Sequence, residues 1–355
     1  MSRRQQILIG LTCGLGLLTA AGAQAQSVEE FYKGKTIRLI VSSEPGGGYD
    51  NYARLVARHL GEHIPGKPSV VVQNMPGAGG LNAANNIYNI APKDGTVIGH
   101  VQRNVPFVAI QGQPGPRFDP VKFNWVSSLN NEVNVCVSWH TAKVKSVEDA
   151  LKHELIVGGS GPNDTEVTPA VLNNILGTKF RIITGYPSSS AVTLAMERGE
   201  VEGLCSSYSS IENRNRHWIT EKKVNFLLQN STQKHPDLPN VPLAMEFAKN
   251  EEDRQLMELN DARLIMGRPF LAPPDMPEDR VKALRAAFSA MVKDPSFLDD
   301  AKKQSMEITP VSGDEIQALL ERVAKTPKAV IDRLTDAQVY KGERGRAKGA
   351  EPDKK

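Results

Sequence analysis

The chain has 355 residues, 40% of them hydrophobic and 23% charged. This excludes a wholly disordered or collagen-like chain and leaves room for about two domains with separate cores. The formal net charge of +3 sits at the ends: Arg3 and Arg4 fall in the first 25 residues, and the last sixteen hold six Lys/Arg against three acids, leaving the body at −2. The body therefore gives no electrostatic reason to expect nucleic acid or an acidic membrane as a partner.

In chain order, residues 1–25 read as an export signal. Arg3 and Arg4 form its basic start, Ile7 to Ala21 is an uncharged apolar run too short to span a bilayer, and Ala23-Gln24-Ala25 is an A-x-A cleavage site, with cleavage expected after Ala25. Cys13 leaves with the signal. Cys136 and Cys205 remain in an oxidising compartment, where a single disulfide and two buried thiols are both open readings.

From Lys35 the pattern is strand, glycine loop, helix, repeated. Thr36 to Val41 is a strand, Pro45-Gly46-Gly47-Gly48 a loop and Asp50 to Leu60 a helix. Ser69 to Val72, Pro76-Gly77-Ala78-Gly79-Gly80 and Leu81 to Ile90 repeat the unit, and Thr96 to Val101 is a third strand. A Gly/Pro-rich stretch from Gln111 to Pro120 interrupts. The alternation resumes with strand within Trp125 to Trp139, a strand at Leu155 to Val157, a loop at Gly158 to Pro162 and a helix from Thr168 to Leu176. A strand follows at Phe180 to Ile183, a loop at Tyr186 to Ser190 and a helix from Ala191 to Arg198. Val201 to Cys205 and Val224 to Leu228 complete the strands of this half. Beyond Asn230 helix dominates, with a strand-like Ala262 to Met266 and helices at Glu278 to Met291 and Glu315 to Val323. From Tyr340 the charged, glycine-containing tail is expected to be disordered and dispensable for binding.

Several enzyme motifs fall one residue short. Gly61 to Pro68 matches a phosphate-binding loop except that Pro68 replaces the Mg²⁺-holding hydroxyl. Gly77 to Asn82 lacks the last glycine of a dinucleotide fingerprint, and Gly158 to Pro162 lacks that of a nucleophile elbow. His59-Leu60-Gly61-Glu62-His63 matches H-x-x-E-H, but Gly61 weakens the helix and Ile64-Pro65-Gly66 ends it, so no metal site is expected. No cofactor is expected either.

The surviving arrangement is four glycine- or serine-rich loops, Pro45 to Tyr49, Pro76 to Gly80, Gly158 to Thr165 and Gly185 to Ser190, each between a strand and a helix. In parallel sheets such loops gather at the strand carboxyl ends, where ligands meet helix N-termini. Two pairs separated by a break point to two lobes with a cleft between them.

The segments Thr36 to Val41, Pro45-Gly46-Gly47, Asp50 with Ala53-Arg54-Leu55, Asn74 with Pro76 to Gly80, and Ala91 to Thr96 resemble those of the Bug-type extracytoplasmic receptors of tripartite tricarboxylate transporters. Tyr186, Gly199-Glu200-Val201 and Ala272-Pro273 fit the same pattern, so the resemblance runs from about Lys33 to Val323. It implies an α/β, two-lobed periplasmic-binding-protein (Venus flytrap, type II-like) fold with a mostly parallel sheet in each lobe. Lobe I is expected at 26–125 plus 230–339, lobe II at 126–229 and the tail at 340–355. The implied function is a periplasmic receptor, not an enzyme, that captures a small organic carboxylate and delivers it to a membrane permease; a secreted hydrolase or metalloenzyme is the alternative. Expected ligand-binding residues are Gly47, Gly48, Tyr49, Ala78, Gly79, Gly80, Ser160, Tyr186, Ser188 and Ser189.

The segments 44–50, 76–81, 158–168 and 184–191 contain no Lys or Arg. A carboxylate there is expected to be held by backbone N–H groups, helix N-termini and the hydroxyls of Tyr49, Ser160, Tyr186 and Ser188 to Ser190. Asp50 reads as a helix N-cap. Glu44 is expected to reach the cleft and disfavour citrate. The nearest cations outside the loops are Arg103 and Arg268.

Overall fold

The structure is a computed structural model that describes residues 26–46, 48–161, 163–343 and 345–346. The expected signal segment, its cleavage site and Gly47 lie outside the described residues. Ser27 caps α1 (Val28–Tyr32) through a reciprocal box with Glu30. β1 (Thr36–Val41), α2 (Gly48–His63), β2 (Ser69–Asn74), α3 (Leu81–Asn89), β3 (Val97–His100), α4 (Val105–Ile110) and β4 (Asn124–Ser128) build the first lobe. Residues 129–133 then cross to the second.

There the chain forms β5 (Asn134–Trp139), α5 (Val147–Lys152), β6 (Leu155–Gly158), α6 (Asp164–Ile175), β7 (Phe180–Thr184), α7 (Ser189–Glu197), β8 (Gly203–Ser207), α8 (Tyr208–Arg214), α9 (Arg216–Thr220) and β9 (Val224–Asn230). The return runs through α10 (Glu251–Ile265) into β10 (Pro269–Ala272), α11 (Glu278–Met291), α12 (Pro295–Lys303), β11 (Val311–Ser312) and α13 (Gly313–Ala324). It closes with α14 (Lys328–Ala337) and β12 (Gly345–Arg346).

Each lobe holds one six-stranded sheet, in the order β11-β4-β10-β3-β1-β2 in lobe I and β12-β7-β6-β8-β5-β9 in lobe II. β1 pairs parallel with β2 and β3, and β6 pairs parallel with β7 and β8. The first strand after each crossing, β5 in one lobe and β10 in the other, runs antiparallel to its neighbours. By direction, four of the six strands in lobe I and five of the six in lobe II run the same way, as expected, although three of the five pairings in lobe I are antiparallel. Cys136 and Cys205 face each other across β5 and β8 and are joined by a disulfide, with Cα atoms 4.0 Å apart. The pair therefore resolves as a disulfide within lobe II.

Three differences from the sequence expectations have physical causes. Ala262–Met266 is not a strand: α10 runs to Ile265, and the return strand is β10. The helix lies between the lobes, with Leu256 and Met257 in the lobe II core and Ala262 and Met266 in the lobe I core. Burial on two sides removes the one-faced apolar period by which a helix is recognised. Next, the stretch 230–339 is shared between lobes rather than confined to lobe I. Ala244, Leu334 and Ala337 pack into the core of lobe II, and α14 lies on α6. Finally, the described residues of the tail, 340–343 and 345–346, are not loose but dock on lobe II. Tyr340 packs on that core, its hydroxyl accepts the Ile182 N–H at 3.4 Å, and Gly345–Arg346 pairs with β7. A bare parallel sheet edge explains why so polar a segment docks there.

The H-x-x-E-H histidines serve packing. His59 Nε2 lies 3.0 Å from Asp300 and His63 Nε2 lies 3.2 Å from Asp294, which ties α2 to α12. Among the described residues no group of three His, Cys, Asp or Glu is placed to hold a metal ion.

Candidate ligand-binding cleft

A cleft of ≈330 Å³ lies between the lobes. Lobe I and the return segment contribute Tyr49, Gln102, Arg103, Asn104 and Arg268. From lobe II come Ser160, Asn163, Asp164 and Thr165 at the start of α6 and Pro187, Ser188 and Ser189 at the start of α7. Ser206, Ser207 and Ser210 close the floor near α8. Asn163 caps α6 by accepting the Thr165 N–H at 3.0 Å, and Ser188 caps α7 by accepting the Ala191 N–H at 3.2 Å. Both helices therefore turn their N-termini toward the cleft, where the helix dipole favours negative charge.

Of the residues expected at the site, the structure brings Tyr49, Ser160, Ser188 and Ser189 to the cleft. Gly48 lies at its edge: Arg268 Nη2 is 3.7 Å from where a Cβ would stand. Ala78, Gly79 and Gly80 do not line it. Gly80 has φ +98° and a Cβ there would stand 3.1 Å from Val105 Cγ2, so that loop's glycines serve a tight left-handed turn. Tyr186 packs on the lobe II core instead, with burial raising its pKa. Glu44 is exposed and outside the lining. Asp50 sits inside the first turn of α2 rather than before it. Its carboxylate accepts from Gly46 N, Arg54 Nε and Asn74 Nδ2, each at 2.8 Å. Burial opposes its charge, but these bonds prevail and hold the pKa below the usual range.

The strongest electrostatic feature was not read from the loops. Arg103, just after β3, reaches across the cleft to Asp164 at the start of α6. Arg263 of α10 binds the other Asp164 oxygen at 3.0 Å. Burial works against the Asp164 charge, yet the two guanidinium groups lower its pKa. Glu132, in the crossing segment and 0% exposed, lies 3.6 Å from Arg103 and 3.7 Å from Arg268 and accepts the Ser209 hydroxyl at 2.8 Å. Arg268 lies over the rings of Tyr49, at 4.7 Å, and Tyr52, at 5.1 Å. Its Nη1 donates to the Gly267 carbonyl, while its buried Nε has no partner. Beneath the site His100 stacks on Phe270 and its Nδ1 bonds to the Pro269 carbonyl at 2.8 Å. Burial pushes that imidazole down to about 3, so it is neutral and pins β10 to β3. Arg103 and Arg268, the nearest cations outside the loops, thus both face the cleft, against the expectation of a cation-free clamp.

No protein-family model matches the chain. A curated relative, the "UPF0065 protein in gbd 5'region" of Cupriavidus necator, is 23% identical over 345 residues, covering 94% of this chain and 98% of the relative. A solved TctC solute binding protein from Polaromonas superposes with a TM-score of 0.66 at 21% identity, covering 85% of this chain and 99% of that one. The periplasmic binding protein BugD gives 0.60 at 19% identity, with coverage of 87% and 99%. MatC of Rhodopseudomonas palustris, solved with bound malate, gives 0.58 at 18%, with coverage of 86% and 99%. The resemblance to Bug-type proteins is borne out, and the fold is that of the two-lobed periplasmic binding proteins. The Polaromonas protein and BugD are described as binding proteins.

Proposed function

We propose that the chain is a Bug-type periplasmic receptor that captures a small organic carboxylate between its lobes and delivers it to the permease of a tripartite tricarboxylate transporter. Release to the periplasm follows from the export signal, with cleavage after Ala25. The observation that carries the reading is the interlobe cleft itself, which presents the Arg268 guanidinium and the N-termini of α6 and α7 to an anion. The ligand contacts we assign are Tyr49, Arg268, Asn104, Ser160, Ser188 and Ser189. The malate held by one solved relative supports a carboxylate ligand. The test is mass spectrometry of solute released by denaturing the protein as purified, followed by calorimetry with that solute. A carboxylate bound one to one and recovered unchanged is the expected result; chemical turnover, or a solute with no acidic group, refutes the reading.

A further inference from the structure

The cleft is richly polar but poorly supplied with unspent charge. Three guanidinium groups, Arg103, Arg263 and Arg268, meet two carboxylates, Asp164 and Glu132. Asp164 is shared by Arg103 and Arg263, one oxygen to each. That leaves Arg268, whose one carboxylate neighbour among the described residues is Glu132 at 3.7 Å, beyond hydrogen-bond reach. Two polar atoms of the lining are buried without a partner, the donor Arg268 Nε and the acceptor Asn104 Oδ1. Both atoms are closed off from solvent, so what the cleft offers a ligand is the rest of these two lining groups. The Arg268 guanidinium suits a carboxylate oxygen and the Asn104 amide a hydroxyl, whichever way the amide is turned. The remaining walls carry hydroxyl and amide groups, among them Ser160, Ser189, Ser206 and Gln102, with Tyr49 and Pro187 as the larger apolar surfaces.

We propose that the cleft selects a hydroxylated monocarboxylate of the sugar-acid type, gripped by its single carboxylate at Arg268, and that Asp164 is the residue that sets this charge preference. The inference rests on the receptor reading above. Among the described residues lining the cleft, a second ligand carboxylate has no uncommitted cation to meet, because Asp164 already occupies Arg103 from across the cleft, and it would lie near the Asp164 charge. An ammonium group is poorly served: the Asp164 charge is already met by two guanidinium groups, one on each oxygen, and Glu132 is fully buried with its oxygens turned to Ser209, Asn130 and the arginines. An alkyl chain would strip water from the serine hydroxyls and Asn104 and give nothing back. Hydroxyl groups replace that water and can donate or accept at each position.

The test is calorimetry at pH 7 with gluconate, glucarate, hexanoate and adipate. Wild-type protein should bind gluconate at least tenfold tighter than each of the other three, and Arg268→Gln should lose at least tenfold of that affinity. Asp164→Asn releases Arg103 and should move the gluconate-to-glucarate ratio at least tenfold toward glucarate. Arg103→Met, which leaves Asp164 underpaired, must move it the other way, and this second variant decides the matter if the first does not fold. A wild-type preference for adipate, hexanoate or glucarate overturns the ligand class. Folded variants that leave the ratio within twofold of wild type overturn the role of Asp164. No binding of any of the four acids also refutes the inference. The receptor reading falls with it only if the released solute carries no acidic group or is chemically turned over.

Discussion

Asp261 offers a measurable test of how the interlobe helix is electrostatically arranged. It lies on α10, 1% exposed, with Oδ1 accepting from Asn260 Nδ2 at 3.0 Å and Oδ2 buried without a partner. Burial pushes its pKa from 3.8 up to about 6, against the attraction of Arg263. At about 1.4 kcal/mol per unit, that rise corresponds to about 3 kcal/mol. The folded chain holds this proton more tightly than the unfolded chain does. The stabilising effect is therefore complete below pH 3.8, fades as pH rises through about 6, and is gone by pH 7.5, where a bare carboxylate sits buried. Asp261→Asn removes the charge but leaves one new amide donor unmatched, at a cost of about 1–2 kcal/mol. A net gain of about 1–2 kcal/mol at pH 7.5 is expected, and linkage makes the gain about 2 kcal/mol larger there than at pH 4.5. Urea unfolding followed by tryptophan fluorescence measures it, because Trp125 in lobe I and Trp218 in lobe II are both buried. Equal gains at the two pH values, or a variant less stable than wild type at pH 7.5, would refute the reasoning.

Three further outcomes follow from packing. Reducing the Cys136–Cys205 bond opens a loop with a sequence separation of 69 and should cost about 4 kcal/mol, read as a fall in Tm with dithiothreitol; an unchanged Tm counts against it. Truncation after Val339 removes Tyr340 and β12 from lobe II. It should lower Tm by about 2–5 °C while leaving ligand affinity intact, and identical melting curves would show that the docked tail contributes nothing. Gly313 begins α13 against β4, where a Cβ would clash with the Trp125 carbonyl and stand 2.7 Å from that of Val126. Gly313→Ala should therefore destabilise by about 1–3 kcal/mol, and wild-type stability in that variant would contradict the placement.

The strand–loop–helix alternation was legible because each element carries its own local signal: an apolar run such as Thr36 to Val41, then glycines, then an amphipathic helix. α11 could be bounded for the same reason, from the Pro-rich approach at Ala272 to Pro277 and its one-sided apolar face. What the sequence hid depends on two lobes facing each other. Arg103 and Asp164 are 61 residues apart and belong to different lobes, so nothing local marks them as partners. Arg268 follows α10, whose doubly buried face lacks a helical period, and it reaches the cleft only because β10 returns beside β3. The glycine loops misled in part because a glycine needed for a left-handed turn, as at Gly80, reads the same as one that admits a ligand. The serines at the start of α7 were readable, because capping and cleft lining coincide at Ser188, whereas the cap of α6, Asn163, was not among the expected site residues.

The third crossing of the chain, between α13 and α14, has a practical consequence. Phe31 and Tyr32 fix the beginning of the described chain to lobe I, while β12 fixes its end to the far edge of the lobe II sheet. The two ends therefore ride on opposite jaws. A donor and an acceptor fluorophore attached at these ends would report the gap between the jaws directly, with no label inserted into either sheet. In the proposed receptor role, that placement of the ends makes the chain an optical sensor of its own closure.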